Sequence, residues 1–123
     1  MKYSFLTSKI IKCALEVHTV LGPGLFEKVY EGCFEYEISE AGLFVERQLE
    51  KHIDYKRLRF DEGYRIDLLV EKKVVVEIKA VSALTETHFA QILTYMKLGG
   101  YPVGLLINFN VKSLRDGIRR VVL

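Results

Sequence analysis

Two carboxylates and one amine interrupt a segment that otherwise has the composition of buried strands, YRIDLLVEKKVVVEIKA, residues 64–80. Asp67 lies in its first half, and Glu77 and Lys79 lie in its second half. An ionised group in an apolar setting costs several kcal/mol unless it is paired or bound to a metal ion. The three side chains are therefore candidates for a functional site.

The length of the turn between the two strands decides whether these groups meet. Side chains alternate across a strand, so Glu77 and Lys79 share one face. A three-residue turn over residues 71–73 places Asp67 opposite Glu77, whereas a two-residue turn places Asp67 opposite Ile78, on the other face. The three-residue turn is predicted, because only that register brings the charged groups together.

Paired carboxylates of this kind suit a hard divalent cation such as Mg²⁺, with water and substrate phosphate completing its coordination. Such an ion lowers the pKa of a bound water and neutralises charge that develops on a phosphate. Lys79 could then orient that water or stabilise the leaving charge. The alternative is a plain ion pair between Glu77 and Lys79 at a sheet edge. The spacing of these residues alone leaves both interpretations open.

A further set of polar side chains lies in the segment THFAQILTYMKL, residues 87–98. Steps of three and four residues place His88, Gln91 and Tyr95 on one helical face. Facing a sheet, such an uncharged hydrogen-bonding stripe can hold an amine, a water or a phosphate. The alternatives are an interhelical hydrogen bond for Gln91 and a core phenol with its hydroxyl at the surface for Tyr95.

The elements that would position these groups follow from apolar periodicity, which predicts the order ααββββαβ with a short C-terminal tail. The predicted helices cover residues 4–21, 25–41 and 85–98, and Thr85 is predicted to be the N-cap of the third. The predicted strands are LFVERQ, KHIDYKRLRF, two strands around EKK, and YPVGLLINFN, with VVL as a closing edge strand. The whole chain, residues 1–123, is expected to be one α/β (α+β) domain with a mixed central sheet.

The predicted inward faces of the first two helices can be stated by residue. On the first helix, Phe5 is expected to begin a broad apolar face that continues through Ile10 and Ala14. On the second helix, an inward face is predicted, formed by Val29, Cys33 and Tyr36. These assignments fix how the helices would lie on the sheet.

The amino-acid composition limits which class of protein and which cellular location are expected. Half of the 123 residues are hydrophobic, which is enough for one domain with a real core. The net charge of +2 is too small to indicate a nucleic-acid partner from bulk electrostatics. No apolar run approaches the roughly 18 to 20 residues of a membrane span, and charges at Lys9, Lys12 and Glu16 interrupt any signal-peptide segment. A cytoplasmic location without membrane contact is therefore expected.

The start of the second helix adds a recognisable pattern. Gly24-x-x-Glu27-x-x-Tyr30 resembles the signature of the GxxExxY proteins, a branch of the PD-(D/E)XK nuclease superfamily. The order of a helix-borne Glu, an Asp, a Glu-x-Lys and a Gln-x-x-x-Tyr is similar to that of the RecB-like nucleases in this superfamily. The resemblance covers almost the whole chain, residues 5–120, and departs from the pattern at Ile66, where the superfamily's name has proline.

The resemblance implies a restriction-endonuclease-like core and a bound Mg²⁺ or Mn²⁺. Asp67 and Glu77 would be the metal ligands, with the backbone carbonyl of Ile78 as a third. Glu27 would be an accessory acidic ligand. Without the resemblance, Glu27 is explained as a first-turn carboxylate that suits the helix dipole.

The resemblance also implies roles outside the metal ligands. Lys79 would be the catalytic lysine, and Gln91 and Tyr95 would organise the lysine, the water or the phosphate. The residues expected to contact nucleic acid are Tyr30, His88 and Arg65.

The predicted function is metal-dependent hydrolysis of phosphodiester bonds, with DNA as the expected substrate. The alternative is a nucleic-acid-binding or assembly module that keeps the fold without turnover. Catalysis is favoured because all the expected acidic and basic groups are present. A metal-free carboxylate pair, as in glycosidases, is disfavoured because the chain has no tryptophan and no evident sugar-stacking cleft. A domain this small has little surface to grip a duplex, which is compatible with a homodimer or a partner protein.

Overall fold

The structure is a computed structural model that describes residues 2–123. Within those residues the helices are α1 (Ser4–Leu21), α2 (Glu27–Glu40) and α3 (Glu86–Gly99). The strands are β1 (Val45–Tyr55), β2 (Leu58–Val70), β3 (Val74–Lys79), β4 (Val103–Asn108) and β5 (Ile118–Val122), and a 3₁₀ turn (Leu114–Gly117) precedes β5. None of these helices combines the length and apolar character that a bilayer crossing needs.

The strands form a single mixed sheet in the order β1-β2-β3-β4-β5. The β3–β4 pair is parallel and the other pairs are antiparallel. The crossover between the parallel strands contains α3, as expected for a β-α-β connection. The predicted mixed α+β class is therefore confirmed.

The predicted number of strands between α2 and α3 is wrong. Four were expected, but β1, β2 and β3 are the three found between residues 41 and 85. The segment KHIDYKRLRF holds a tight hairpin turn at Lys56, whose backbone is left-handed with φ 54°. No Gly, Asn or Pro marks this turn, so the residue pattern does not reveal it.

The β1–β2 hairpin is longer than the rest of the sheet. Its two strands pair from Val45–Val70 out to Tyr55–Leu58. An irregularity between Lys51 and Ile53 bends the hairpin, and Gly63 lies there against Ile53. A Cβ at Gly63 would lie 2.7 Å from the backbone nitrogen of Ile53, so the close approach requires glycine.

Apolar clusters cover both faces of the sheet. One contains side chains of α1 and α2, and the other contains Ile92 and Met96 of α3. Leu69 and Val75 belong to the α3 cluster. Side chains two residues along the same strands, at Asp67 and Glu77, therefore also face α3.

The inward face predicted for α2 is wrong at Val29 and Tyr36, whereas Cys33 packs against the core as predicted. Tyr36 is 62% exposed and Val29 43% exposed, whereas the fully buried side chains are Tyr30, Phe34 and Ile38. These three lie at four-residue steps, and both aromatic rings pack on Phe109 beyond β4. Contact with Phe109 therefore fixes the rotation of α2.

The predicted apolar face of α1 is correct except at its start. Ile10 and Ala14 are fully buried, but Phe5 is 80% exposed. Phe5 lies in the first turn of the helix, between Tyr3 and Leu6, which pack against the core cluster, so Phe5 itself is on the outward face of the turn.

Candidate active site

The site lies where β2 and β3 separate. Val70 pairs with Val74 and Leu68 pairs with Val76, so the predicted three-residue turn is confirmed. The turn forms because Glu71 and the residue after it both adopt left-handed backbone angles, φ 52° and 57°. The next opposed residues beyond Leu68 and Val76 are Asp67 and Glu77.

The two carboxylates replace the ladder hydrogen bonds at this point. The backbone N–H of Asp67 donates to Oε2 of Glu77 at 3.0 Å. The backbone N–H of Ile78 donates to Oδ2 of Asp67 at 2.8 Å. One oxygen of each carboxylate is thus fixed by a backbone amide, and the other oxygen of each accepts no backbone hydrogen bond.

Burial makes the negative charge of this pair costly. Glu77 is only 3% exposed, and its burial, followed by the nearby charge of Asp67, raises the pKa of Glu77 to about 8. Burial likewise raises the pKa of Asp67 to about 6, against the opposing effect of the Ile78 N–H. Lys79 lowers both pKa values but does not restore them to the ordinary range. The pair therefore favours a proton or a cation near neutral pH.

The lysine is held by the helix that faces the carboxylates. Helix α3 starts at the N-cap Thr85 predicted from the sequence, and Nζ of Lys79 donates to Oε1 of Gln91 at 3.3 Å. Tyr95 lies one turn further along and packs against Tyr64 with ring centroids 4.8 Å apart. Burial, together with the charges of Glu77 and Asp67, raises the pKa of Tyr95, so its hydroxyl stays protonated and can donate.

Two open cavities meet at Asp67. The first has a volume of about 370 Å³ and opens on the α3 side. Its lining includes Glu50, Glu62, Tyr64, Arg65, Asp67, Glu77, Lys79, Gln91 and Tyr95. The second, of about 440 Å³, is lined by Glu27, Lys28, Glu31, Arg47, Gln48, Arg65, Asp67 and Ile78. Since Arg65 and Asp67 line both cavities, a ligand at Asp67 can be reached from either side.

Glu27 is near this site but is not part of a three-carboxylate cluster. Its Oε2 accepts a hydrogen bond from the backbone N–H of Ala80 at 3.2 Å, which ties the start of α2 to the end of β3. Among residues 2–123, no three His, Cys, Asp or Glu side chains lie close enough together to hold a metal ion. The predicted accessory role of Glu27 therefore stays a prediction.

The donor groups at Asp67 and Glu77 nevertheless fit a hard divalent cation. Each carboxylate keeps one oxygen outside the backbone hydrogen bonds described above. The C=O of a strand residue points to the same side as its N–H, so the Ile78 carbonyl is directed toward Asp67. Oxygen ligands of this type suit Mg²⁺ or Mn²⁺, with water and phosphate oxygens in the remaining positions.

The structure contradicts the predicted nucleic-acid contact of Tyr30. This side chain is fully buried and its ring stacks on Phe109 with centroids 4.7 Å apart. Its hydroxyl donates to the Gly22 carbonyl at 2.7 Å and accepts from the Leu25 N–H at 3.0 Å. Tyr30 therefore holds the GPG turn against α2 and has no surface to offer a ligand.

The other two predicted contacts differ from each other. Arg65 is exposed and lines both cavities, a position compatible with the prediction. His88 lines neither of the two cavities. Nδ1 of His88 accepts from the backbone N–H of Thr85 at 3.0 Å, and the His88 N–H donates to Oγ1 of Thr85 at 3.4 Å. This reciprocal pair caps α3, so the structure gives His88 a structural role.

A chain of polar contacts behind Asp67 is absent from the sequence prediction. Glu31, only 6% exposed, accepts a hydrogen bond from Nε of Arg47 at 3.0 Å. Nε2 of Gln48 donates to Oε1 of Glu31 and lies 3.5 Å from Oδ1 of Asp67. Gln48 has a left-handed backbone, φ 52°, and drops out of the β1–β2 ladder. The available signal was that Glu31 follows Glu27 by four residues and so shares its face of α2.

The loop that follows Lys79 is held by the INFN segment of β4. Nδ2 of Asn108 donates to the Val81 carbonyl at 2.9 Å, and Oδ1 of Asn108 accepts from the Val81 N–H at 3.1 Å. The Phe109 N–H donates to the Lys79 carbonyl at 2.9 Å. Asn108 is buried, so these contacts fix the backbone on which Lys79 is carried.

Comparison with known proteins gives one finding. A family model described as the PD-(D/E)XK nuclease superfamily matches residues 4–121. No curated protein and no solved structure gives a significant match to the chain.

Proposed function

Because the chain belongs to the PD-(D/E)XK nuclease superfamily, we propose that it is a divalent-metal-dependent nuclease that hydrolyses phosphodiester bonds in DNA. Its mixed sheet and helices are consistent with the restriction-endonuclease-like fold of that superfamily. Within the superfamily we assign it to the GxxExxY branch, on the spacing of Gly24, Glu27 and Tyr30.

One observation carries this proposal. Asp67 and Glu77 meet on one face of the sheet, beside a lysine that α3 holds through Gln91. A plain ion pair between Glu77 and Lys79 would need a direct contact, but no such pair occurs within 4.0 Å, and Lys79 bonds to Gln91 instead. Lys79 is therefore kept available for chemistry at the cavity.

In the proposed reaction, Asp67, Glu77 and the Ile78 carbonyl would hold Mg²⁺ or Mn²⁺, with Glu27 as an accessory acidic ligand. The bound ion would supply activation of a water and would offset charge on the phosphate. Lys79 orients the attacking water or stabilises the developing negative charge, since its ammonium can donate but cannot ligate a cation. Gln91 keeps the Lys79 amine in place.

Two more side chains would act on the phosphate itself. The protonated hydroxyl of Tyr95 can donate to a phosphate oxygen, and its raised pKa preserves that donor across the neutral range. Arg65 is positioned at the junction of the two cavities and can make a bidentate contact with a phosphate. These roles concern binding and charge stabilisation, and both follow from the lining of the cavities.

A cleavage panel tests the proposal. Single- and double-stranded DNA and RNA are incubated with the protein in Mg²⁺, in Mn²⁺ and in EDTA. Cleavage of at least one DNA form is expected with metal and not with EDTA. Lys79→Ala should abolish it, whereas Lys73→Ala, in the exposed turn at the other end of β3, should cleave like the wild type.

Two outcomes would contradict the proposal. Binding of nucleic acid with no cleavage of any form would replace it with the nucleic-acid-binding or assembly module. Equal activity of Lys79→Ala and the wild type would remove the catalytic role from this site. The same protein in analytical ultracentrifugation, with and without DNA, reports whether it acts as a monomer, as a homodimer or only with a partner.

A further inference from the structure

The β1–β2 hairpin extends past the end of the proposed active site. The β2–β3 ladder ends at the Leu68–Val76 pair, next to Asp67 and Glu77, and β3 ends at Lys79. The rest of β2, residues 58–66, continues beyond that point, paired only with β1. At about 3.3 Å per residue, the nine residue steps from Asp67 to Leu58 extend the hairpin roughly 30 Å from Asp67.

The base of this extension contacts the rest of the protein, whereas its end does not. Tyr64 packs on Tyr95, and Nζ of Lys51 lies 5.7 Å from the ring centroid of Tyr101. Residues 52–63, here called the arm, have no hydrogen bond, ion pair or aromatic contact with any other element among residues 2–123. The arm is therefore a two-stranded ribbon held out beside the site.

The two faces of the arm differ in chemistry. On one face Arg59 forms ion pairs with Asp61 at 3.0 Å and with Asp54 at 3.9 Å. The other face is apolar, because Ile53 is opposed to Phe60 and Tyr55 to Leu58. Three of its side chains are more than half exposed, namely Tyr55 at 52%, Leu58 at 59% and Phe60 at 52%.

The turn at the tip carries unpaired positive charge. Neither Lys56 nor Arg57 lies within 4.0 Å of a carboxylate in the described chain. Nζ of Lys56 lies 5.3 Å from the ring centroid of Tyr55, so the cation and the aromatic ring are presented together. Cations beside exposed aromatic rings suit a polynucleotide, because the cations can contact its phosphates and the rings can contact its sugars or unpaired bases.

We propose that the arm is a second nucleic-acid contact, which binds the polynucleotide on one side of the bond to be cleaved. Lys56 and Arg57 contact its phosphates, and Tyr55 and Phe60 contact its sugars or bases. The inference rests on the proposed nuclease function and adds where the substrate lies. It also supplies binding surface that the two cavities lack.

Association with a second copy explains the arm less well. The exposed parts of three apolar side chains offer a few hundred Å² at most, while a standard stable interface buries roughly 800 Å² on each partner. Two arms packed together would also leave Lys56 and Arg57 without counter-charges. A phosphate backbone supplies those counter-charges.

Binding measurements in Ca²⁺ or with the Lys79→Ala protein, where cleavage is not expected, test the arm directly. Lys56→Ala/Arg57→Ala should weaken binding to a long duplex about tenfold or more. It should also lower the slope of log K against log salt by roughly 2, one for each lost phosphate contact. The control, Lys12→Ala/Lys73→Ala, removes the same charge from two exposed positions that form no ion pair among residues 2–123, and it should change neither value. Melting temperatures should stay unchanged, since the arm packs on nothing else.

Substrate length provides a second readout. At 3.4 Å per base step, the tip lies about nine base pairs from the site. The arm variant should therefore lose affinity for duplexes that extend ten or more base pairs past the cut, and should match the wild type on shorter ones. Phe60→Ala should weaken binding of the long duplex without changing the salt slope.

The outcomes of these experiments distinguish a failure of the arm proposal from a failure of the proposed nuclease function. If the wild type binds and cleaves DNA but the arm variants bind the long duplex equally well, the arm proposal is wrong and the function stands. If the wild type binds no nucleic acid, both are wrong. If Phe60→Ala converts a dimer to a monomer in ultracentrifugation without altering DNA affinity, the arm is a self-association element instead.

Discussion

The Glu77 carboxylate accepts a hydrogen bond from the Asp67 N–H, while the Asp67 carboxylate accepts one from the N–H of Ile78, the residue after Glu77. The two acidic side chains thus act as the acceptors that backbone carbonyls provide elsewhere in the ladder. Their positions are set by the backbone of two strands and do not depend on flexible loops. Since an amide oxygen can accept the same hydrogen bonds, Asn and Gln at these positions would remove charge and keep the geometry.

The stability of the metal-free protein should depend on pH through this pair. The pKa values of Asp67 and Glu77 rise in the folded state from 3.8 and 4.5 to about 6 and about 8. Between about pH 4 and pH 8 the folded state therefore holds more protons than the unfolded state, so the free energy of unfolding falls as pH rises. In EDTA, the wild type should lose about 2 kcal/mol or more relative to Glu77→Gln between pH 5 and pH 8. Chemical denaturation at several pH values measures this, and parallel profiles for the two proteins would contradict it.

Substitutions at Lys79 and at its partner Gln91 should lower the cleavage rate without lowering the affinity for the metal ion. Lys79→Ala should reduce cleavage by more than 100-fold while leaving Mn²⁺ affinity within about twofold, because an ammonium does not ligate a cation. Gln91→Ala should give a smaller loss of cleavage, since it frees the amine without removing it. Single-turnover kinetics and isothermal titration with Mn²⁺ measure the two effects. A Lys79→Ala protein that loses Mn²⁺ binding as completely as Glu77→Ala would refute the assigned roles.

Gln48 should act as a positioning residue for Asp67. Gln48→Gly removes the whole side chain, including the amide that lies between Glu31 and Asp67, and its relief of the left-handed backbone offsets the lost hydrogen bond to Glu31. We expect Mn²⁺ affinity to fall roughly tenfold, as for other outer partners of metal ligands, with little change in melting temperature. Gln48→Asn tolerates the same backbone and keeps a shorter amide, so it should be intermediate. Wild-type Mn²⁺ affinity in Gln48→Gly would show that the contact has no positioning role.

Tyr30 should matter for stability and not for substrate. Tyr30→Phe leaves the Gly22 carbonyl and the Leu25 N–H without their partner, which should cost about 1–3 kcal/mol of unfolding free energy. DNA affinity should not change, because the hydroxyl is buried. Tyr36→Phe, at a 62% exposed position on the same helix, is the control and should be neutral. A Tyr30→Phe protein with unchanged stability and weaker DNA binding would reverse this assignment.

Local periodicity was sufficient to predict most of the scaffold. The bounds of α1 and α3 and the Thr85 cap follow from short-range patterns. The turn that unites Asp67 with Glu77 was predicted on a different ground, because only its register brings the charged groups together. The rotation of α2 does not, because its residues mix polar and apolar types around the whole helix. The packing of Tyr30 and Phe34 on Phe109 decides that rotation, and this is a contact between residues distant in sequence.

The missed parts of the site depend on backbone conformations that composition does not indicate. Lys56 and Gln48 both adopt left-handed angles without being Gly, Asn or Asp. The first closes the long hairpin, and the second turns an amide toward Asp67. From the sequence alone, Glu31 is expected to be a surface residue. Its site role becomes visible only from its contacts with Arg47 and Gln48 in the fold.

The central claim is that Asp67 and Glu77 form a divalent-metal site whose like charges oppose folding until a cation binds. Thermal melts of the wild type, Asp67→Asn and Glu77→Gln, each in EDTA and in Mn²⁺, test it most directly. In EDTA at pH 8 both variants should melt above the wild type, because each removes one of two crowded charges.

With Mn²⁺ at about ten times its dissociation constant, the wild type should gain roughly 1.4 kcal/mol and the variants should gain little. The contradictory result is a Glu77→Gln protein that melts below the wild type in EDTA, with no shift from Mn²⁺ in any of the three proteins. Glu77 would then be a structural acceptor for the Asp67 N–H, and the site would not bind metal.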